Sequence, residues 1–495
     1  MTSKARTKNP LLPFSIGILL LLSLVAFFAT ESSYIIISNW SLWVRTYFGY
    51  FYLYLGLACV FFLLIIAFSP IGKIKLGKED AKPEYSLWSW IAMLYSAGMG
   101  AGILLRAVQE PIYMQQNPPY TSNLAPEILA LEFTFYQWGF TAWAFYGLFA
   151  MVIAYALFVR KKKTLISETV YNTLPNKKLL YGIDILTILT TIFGLIAAVG
   201  LGTTQIKGGI NHVFKGNFDL SLTIGLTTII VIVAAYSAWM GVNKGIKIIS
   251  KLNIITALSI LVFTFVFSDV PLILSNFFSA TYHYILDFIP MSLALGNYNP
   301  GMNFLSDWTF YYWAFWLAWA PFTGIFIARI SKGRTLRQLL LGVLIIPSLG
   351  TFFWFAVFGS SAFELIETWG GYNNEFGNVF SSIFVFLENY PFAFMLNMVT
   401  LFLLASFLVT SVDSAVFVLS MFTDSGKKNP SKKHRLLWSA IILIATIALL
   451  VLGNVKPEID VLTAVQKLLI ITSLPFAFFS IFMAWVFLKE VLKKK

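Results

Sequence analysis

Residues 90–111 decide the fold class, and they read WIAMLYSAGMGAGILLRAVQEP. This stretch is long and apolar enough to cross a bilayer, which takes about 20 residues in a helix. Three glycines alternate in its middle, at Gly98, Gly100 and Gly102. Glycine destabilises a helix interior by up to about 1 kcal/mol relative to alanine, and glycines two residues apart do not form one helix face. The spacing therefore predicts a membrane helix that is unwound at its centre, with close helix packing as the alternative.

The composition of the whole 495-residue chain is also that of a membrane protein. Hydrophobic residues make up 58% and charged residues 12% of the chain, whereas a soluble domain carries roughly 25% charged residues. This composition excludes a soluble multidomain enzyme and a disordered chain. Cys59 is the only cysteine, so an intrachain disulfide scaffold is excluded. The three histidines are far apart in the sequence and predict no metal site.

Hydropathy predicts about twelve membrane spans. They cover residues 14–31, 49–69, 87–115, 128–158, 179–201, 220–238, 252–268, 307–328, 339–359, 392–422, 436–452 and 460–488. With the N-terminus inside, 29 of the 35 Lys and Arg residues fall in cytoplasmic segments and four in outside loops. This distribution explains the net charge of +13 without a nucleic-acid partner. We expect a multi-pass protein of the cell membrane, in contact with lipid and with both termini cytoplasmic.

The tenth predicted span is unusually polar. It carries Thr410, Ser411, Asp413 and Ser414 within five residues. Such side chains are costly in lipid, so they should face a protein interior. Hydroxyl oxygens suit a hard cation such as sodium. The alternative is that the hydroxyls bond to carbonyls of their own helix.

Aromatic residues are concentrated in the fourth span, at residues 137–146, and in the eighth span, at residues 307–322. At 1.5 Å rise per residue, Trp308 and Trp319 are roughly 16 Å apart along a helix. The tryptophans of the eighth span therefore cannot all lie at a bilayer interface, where this residue usually gathers. Aromatic faces deep in a bundle can bind a quaternary ammonium by cation–π attraction. Ordinary aromatic packing is the alternative.

Together these segments resemble the betaine/choline/carnitine transporter family over about residues 10 to 490. The most similar stretch is residues 308–338, which ends in PFTGIFIARISKGRTLRQ. The glycine segment that ends in Glu110-Pro111 is a second match, and residues 237–253 are a third. The resemblance implies an all-α integral membrane transporter with a LeuT-like fold, in which two extra helices precede two inverted repeats of five helices.

The resemblance also implies how the chain is divided. The expected parts are an N-terminal tail with helices 1–2 (1–86), a first repeat (87–268), an extracellular loop with an interfacial helix (269–306), a second repeat (307–488) and a short basic tail (489–495). Repeats of this kind place the substrate at their interface, and rocking of one bundle against the other alternates access. Members of the family are often homotrimers, so a homotrimer is expected.

The resemblance further implies a substrate site that combines an aromatic box with the unwound glycine segment. The expected substrate-binding residues are Trp138, Trp143, Tyr146, Trp313, Trp316, Trp319, Gly98, Met99, Gly100, Ala101, Gly102 and Arg106. The expected ligands of sodium, the coupling ion, are the hydroxyls of Thr410 and Ser411 and the carbonyls of Ser96, Met99 and Phe407. No other metal and no organic cofactor is expected.

The chain departs from the family pattern at four positions. Phe315 replaces one tryptophan of the usual pair, and Leu195 stands where a threonine would serve a second sodium site. Gly102 is not the aspartate that choline carriers of the family tend to show, and Arg106 occupies a position that is usually uncharged. In contrast, Asn253 stands where sodium-independent antiporters of the family carry an arginine. That last difference favours sodium coupling.

Arg106 has two interpretations. An arginine inside a span costs at least about 2.5 kcal/mol at the bilayer centre unless it is paired or hydrated. Glu110 lies four residues later, so an ion pair on one helix face is expected. The alternative is that Arg106 points into the pathway and binds an anionic group of the substrate.

The predicted function is sodium-coupled import of a betaine-like osmolyte, a zwitterionic quaternary ammonium compound, by a symporter. The alternative within transport is a sodium-independent exchanger, or a carrier of another trimethylammonium or sulfonate compound. A channel would need a filter loop, which the sequence lacks. A membrane enzyme would need an acid/base cluster, whereas Glu110, Glu132, Asp184 and Asp413 are separate in the sequence. We therefore expect a transporter for a small zwitterion or cation and no enzymatic activity.

Overall fold

The computed structural model describes residues 10–98, 100–240 and 246–493. Within these ranges the regular structure is helical, and one isolated β-bridge joins Lys75 to Thr335. The helices of the first part are α1 (Leu11–Phe28), α2 (Thr30–Phe68), α3 (Leu87–Gly98), α4 (Gly102–Arg106), α5 (Gln109–Gln116), α6 (Pro126–Trp138), α7 (Phe140–Ala154), α8 (Lys177–Val213), α9 (Leu220–Met240), α10 (Ile246–Val266) and α11 (Val270–Leu293). Those of the second part are α12 (Met302–Phe304), α13 (Phe310–Ile330), α14 (Leu336–Leu344), α15 (Ile346–Thr368), α16 (Ser382–Leu387), α17 (Ala393–Thr423), α18 (Lys432–Val455) and α19 (Val461–Leu492). The all-α prediction is confirmed.

Eleven helical segments of the described chain are long and apolar enough to cross a membrane. They correspond to the predicted spans with the exception of the third. That span is divided into α3, α4 and α5, so no single piece of it has the length of a crossing. With this broken span included, the described helices account for the twelve crossings that hydropathy predicts.

α2 is much longer than the sequence predicts. The predicted second span covers 49–69 and leaves Arg45 in an outside loop, whereas α2 begins at Thr30. The guanidinium of Arg45 donates to the carbonyl of Ser306 at 2.8 Å and to the carboxylate of Asp307 at 2.9 Å. Because arginine is a good helix former, the helix continues through this position, which hydropathy alone assigns to a loop.

The third span is interrupted twice. α3 ends at Gly98 and α4 begins at Gly102. Gly100 lies between them with a φ of +52°, a left-handed conformation that glycine adopts without steric cost. A second interruption precedes the first turn of α5, where Pro111 lacks the N–H that a continuous helix would bond to the carbonyl of residue 107. The predicted unwinding at the centre of this span is confirmed.

The centre of the molecule is formed by α7 and α13, which pack against each other. α7 is buried from Thr141 to Ala154, and most of α13 is buried as well. α2 and α19 pack against both of these helices, while α17 packs against α8, α9 and α10. The peripheral helices α9 and α10 expose apolar side chains such as Ile229, Ile255 and Val262. Such surfaces are typical of helices that face hydrocarbon, where the backbone N–H and C=O groups must hydrogen-bond to one another within the helix.

The segment between the seventh and eighth spans contains α11, whose N-terminus is capped by the carboxylate of Asp269. One face of α11 packs on α6 and α15 and includes the buried ring of Tyr284. The opposite face exposes Phe278 and Ile285. The segment 269–306, for which the sequence predicts an interfacial helix, thus contains a helix with the two-sided surface of an amphipathic helix.

Candidate functional site

A cavity of about 390 Å³ lies where the break between α3 and α4 meets α13. Its volume is within the range of about 300–1,000 Å³ that is usual for small-molecule sites. Residues of α4, α6, α7, α8, α13, α17 and α19 contribute to its wall. The cavity thus lies between helices of both predicted repeats.

One end of the cavity combines backbone of the unwound segment with three aromatic rings. Residues 100–102 line it together with Trp138, Tyr146 and Trp316. The ring centres of Trp138 and Trp316 are 5.2 Å apart with planes at 66°, and those of Tyr146 and Trp316 are 6.2 Å apart with planes at 86°. The indole nitrogen of Trp316 donates to the carbonyl of Gln137 at 2.9 Å, which fixes this ring. The structure therefore brings together three of the expected box residues and the glycine segment.

α13 and the turn before it present a row of stacked rings along the cavity. The ring centres of Trp308 and Tyr312 are 6.2 Å apart, and those of Tyr312 and Trp316 are 5.8 Å apart, with interplanar angles of 26° and 28°. Phe315 and Trp319 also line the cavity. Residues four apart lie on one helix face. Trp308 and Tyr312 are not among the site residues predicted from the sequence, although this spacing could have identified them.

Glu110 connects two of these rings from outside the cavity wall. It is fully buried, and its carboxylate accepts a hydrogen bond from the indole nitrogen of Trp138 at 3.0 Å and another from the hydroxyl of Tyr312. Both oxygens of the carboxylate are therefore engaged by aromatic side chains. This role of Glu110 is not predicted from the sequence, because the contact depends on the second interruption of the third span.

The expected ion pair between Arg106 and Glu110 is not formed, so that prediction is wrong. Arg106 instead donates to the side-chain oxygen of Gln109 at 2.6 Å, and its guanidinium carbon lies 5.7 Å from the ring centre of Trp308. The reason is that residues 107 and 108 leave the helix, and residues four apart then no longer share a face. Arg106 is part of the cavity wall.

Two of the expected substrate-binding residues lie behind the wall rather than on it. Trp143 and Trp313 are fully buried and do not line the cavity. Trp143 stacks 6.5 Å from the ring of Tyr95 and meets Tyr146 edge-on at 5.6 Å. Trp313 packs 4.9 Å from the ring of Tyr136. In this conformation both indoles support the wall by packing, which was the alternative interpretation of the aromatic clusters.

The hydroxyls expected to bind sodium lie on α17 beside the break. Ser411 lines the cavity, and a Cβ atom added to Gly100 would lie 3.2 Å from its Oγ. Thr410 is buried and donates to the carbonyl of Phe407 at 2.9 Å, which is the local bond that the alternative predicts. Its Oγ1 also accepts a hydrogen bond from the side-chain amide of Asn253 at 3.2 Å. The prediction that this polar segment faces a protein interior is confirmed.

The remaining expected residues belong to the end of α3. Ser96 and Gly98 are in its last turn, so their backbone lies next to the break. Met99 lies outside the described residues.

Comparison with known proteins identifies the family. A sequence model of the betaine/carnitine/choline family of transporters matches residues 10–495. The chain belongs to this family. Within it, the chain is 38% identical over 437 residues to the glycine betaine transporter OpuD of Bacillus subtilis strain 168, a match that covers 87% of this chain and 84% of OpuD.

Two further relatives in the betaine/carnitine/choline transporter family are named for other substrates. The ectoine/hydroxyectoine transporter of Virgibacillus pantothenticus is 33% identical, with 87% of this chain and 86% of that protein covered. The high-affinity choline transport protein of Escherichia coli K12 is 32% identical, with 96% of this chain and 71% of that protein covered. Because the family and these relatives are transporters, the chain is a multi-pass membrane transporter and not an enzyme.

A solved structure supports the architecture expected of this transporter family. The crystal structure of MhsT in complex with L-phenylalanine superposes with a TM-score of 0.54 at 14% identity, over 80% of this chain and 88% of MhsT. At this identity the similarity shows the fold alone. It confirms the LeuT-like fold that the sequence resemblance implies.

Proposed function

We propose that this transporter imports a zwitterionic quaternary ammonium osmolyte of the glycine betaine type by sodium symport. The observation that carries the proposal is that one cavity joins the unwound backbone at residues 100–102 to the rings of Trp138, Tyr146 and Trp316. Backbone N–H groups beside a broken helix suit a carboxylate. Aromatic faces suit an ammonium that has no N–H to donate, because cation–π attraction is strongest when the cation is desolvated. A betaine carries both groups in one small molecule.

The relatives are consistent with a substrate of this chemical kind. They are named for glycine betaine, ectoine or hydroxyectoine, and choline. Each of these molecules carries a positive charge spread over a nitrogen-containing group, and the first two also carry a carboxylate. A cationic centre that an aromatic box can hold is thus common to all of them.

Sodium coupling is proposed from the oxygen atoms beside the break. The hydroxyls of Thr410 and Ser411 are joined there by Asn253, whose amide nitrogen bonds to Thr410. Its amide oxygen is buried and accepts no hydrogen bond from the described residues. A buried acceptor without a donor is unusual, and an oxygen-lined site of this kind suits a hard cation. The side-chain amide of Asn253 carries no positive charge, so a bound sodium ion would supply the positive charge at this site.

Transport would proceed by alternating access. We assign the two repeats to 87–268 and 307–488, with the substrate between them and both termini in the cytoplasm. The cavity extends from the break to Asp307 and Thr463, near the beginnings of α13 and α19. In the proposed orientation this end faces the outside of the cell membrane, so the structure represents an outward-facing conformation. We further propose that the transporter is a homotrimer.

Uptake of radiolabelled glycine betaine into proteoliposomes tests this function. Purified protein should accumulate the label when a sodium gradient is imposed and not when potassium replaces sodium. Preloading with unlabelled betaine should accelerate uptake, since a carrier shows trans-stimulation and a channel does not. If the protein neither binds nor transports betaine in all of these conditions, the proposed substrate class is refuted. Equal uptake in sodium and potassium would refute the coupling.

A further inference from the structure

Arg106 lies on the wall of the same cavity as the aromatic box. It is the last residue of α4, one helical turn beyond Gly102, and its side chain is half-buried. The guanidinium carbon is 5.7 Å from the ring centre of Trp308, and Trp308 is two stacked rings away from Trp316. The row of rings on the α13 side therefore has a fixed cation at one end and the box at the other.

The charge of Arg106 has no carboxylate paired directly with it. None of the ion pairs within the described residues includes Arg106. The carboxylate of Glu110 is engaged by Trp138 and Tyr312, and that of Asp307 is paired with Arg45 at 2.9 Å. The hydrogen-bond partner of the guanidinium is the neutral amide of Gln109.

The guanidinium of Arg106 has more N–H donors than its hydrogen bond to Gln109 uses. A guanidinium carries five N–H donors in a planar fork that matches a carboxylate or sulfonate in two-point contact. One hydrogen bond to Gln109 leaves donors available to a ligand in the cavity. An ionisable side chain within a membrane-spanning segment is expensive to maintain, and those that face a cavity usually serve the transported species.

We infer that Arg106 forms an anion-recognition subsite that makes this transporter select zwitterions over plain cations. The inference rests on the proposed function, because it requires that the box of Trp138, Tyr146 and Trp316 holds the ammonium of the substrate. The carboxylate or sulfonate of a zwitterion then lies between the backbone N–H groups of residues 100–102 and the guanidinium of Arg106, and it gains a charge-assisted hydrogen bond from the guanidinium. A trimethylammonium alcohol such as choline gains no such bond and also meets a like charge.

Binding of glycine betaine and choline to two variants tests the inference. The two ligands share the trimethylammonium group and differ in the carboxylate. Affinities are measured by tryptophan fluorescence of the detergent-solubilised full-length protein in sodium buffer. The wild type should bind betaine at least about tenfold more tightly than choline. Arg106→Gln should lose about tenfold to hundredfold in betaine affinity, the range expected for a lost charge-assisted hydrogen bond, and should bind choline as well as the wild type or better.

The second variant separates charge from geometry. Arg106→Lys keeps the positive charge but not the planar fork, so it should still discriminate against choline while its betaine affinity falls about threefold to tenfold. This variant also decides the question if Arg106→Gln does not give folded protein. Lys467→Gln is the matched control for net charge, because Lys467 bonds to Ser38 and does not line the cavity. It should leave both affinities unchanged.

Three results would overturn the inference, and the third is distinguishable from the first two. The role of Arg106 is refuted if folded Arg106→Gln keeps the wild-type ratio of betaine to choline affinity. It is also refuted if Arg106→Lys no longer discriminates against choline. Neither result refutes the proposed function. A wild-type protein that binds neither ligand refutes the proposed substrate class and the inference with it.

Discussion

The indole nitrogen of Trp138 lies 3.0 Å from the carboxylate of Glu110 and donates a hydrogen bond to it. The second oxygen of this buried carboxylate accepts from the hydroxyl of Tyr312. One carboxylate thus fixes a ring of α6 relative to a ring of α13, although the two helices belong to different predicted repeats. The interruption before α5 is what places Glu110 between them. The aromatic wall of the cavity therefore depends on the same broken span that supplies its backbone.

We predict that Glu110→Ala weakens both folding and substrate binding. The substitution leaves the buried indole N–H of Trp138 without a partner, at a cost of about 1–3 kcal/mol, and it also releases the partly buried hydroxyl of Tyr312. Glu110→Gln should be milder, because its amide oxygen can accept from Trp138 and the Tyr312 hydroxyl can turn to accept from its amide nitrogen. Thermal unfolding and betaine titration of the purified protein measure both effects. Glu127→Ala, which removes a partly exposed partner of Gln115, is the control.

The order of these variants decides the prediction. Glu110→Ala should have the lowest unfolding midpoint and the weakest binding, Glu110→Gln should be intermediate, and Glu127→Ala should resemble the wild type. If Glu110→Ala binds betaine like the wild type, the carboxylate does not hold the box in place.

A second prediction concerns Trp316, which lines the cavity and contacts four aromatic neighbours. Trp316→Leu should lower betaine affinity roughly thirtyfold, because loss of one desolvated cation–π partner costs about 2 kcal/mol. Trp313→Leu is a matched control on the same helix, since Trp313 is fully buried and does not line the cavity. It should reduce thermal stability more than affinity. If Trp316→Leu binds betaine with the affinity of the wild type, the aromatic box does not hold the ammonium of the substrate.

Much of the fold is predictable because it follows from local sequence. The break at Gly98–Gly102 is predicted by glycine spacing, and the number of crossings by hydropathy. The pairing of Arg45 with Asp307 within the extension of α2 is not predictable in this way, because the partner lies 262 residues later in the sequence. A partner so distant in sequence gives no local signal.

The site is predicted less completely than the fold. The aromatic clusters identify α7 and α13 as walls, but sequence does not determine which rings face the cavity. Trp143 and Trp313 face the core, while Tyr312 lines the cavity. Glu110 is an example of the same limit. Its spacing from Arg106 predicts an ion pair for a continuous helix, and the interruption between them removes that pair.

A third prediction concerns the coupling ion. The double variant Thr410→Ala with Ser411→Ala removes two hydroxyl oxygens beside the break, so the sodium concentration needed for half-maximal uptake should rise at least about tenfold. Sodium titration of betaine uptake measures this change. Ser414→Ala is the control, because Ser414 is buried on the same helix and does not line the cavity. An unchanged sodium dependence in the double variant would place the ion elsewhere.

The last prediction separates two neighbouring glycines of the break. Gly100 has a φ of +52°, and an added Cβ would lie 3.2 Å from Oγ of Ser411. An L-residue in this conformation costs about 1–2 kcal/mol, and the new methyl group would also displace the hydroxyl that we assign to sodium. Gly100→Ala should therefore lower the unfolding midpoint and weaken sodium-dependent binding together.

At Gly102 the φ is not positive, and an added Cβ would lie 3.6 Å from the ring of Trp138, an ordinary contact. Gly102→Ala begins α4 with a better helix former, so its unfolding midpoint should equal or exceed that of the wild type. Thermal unfolding with and without sodium compares the two variants, and equal damage from both would show that the conformation of Gly100 is not what the break requires.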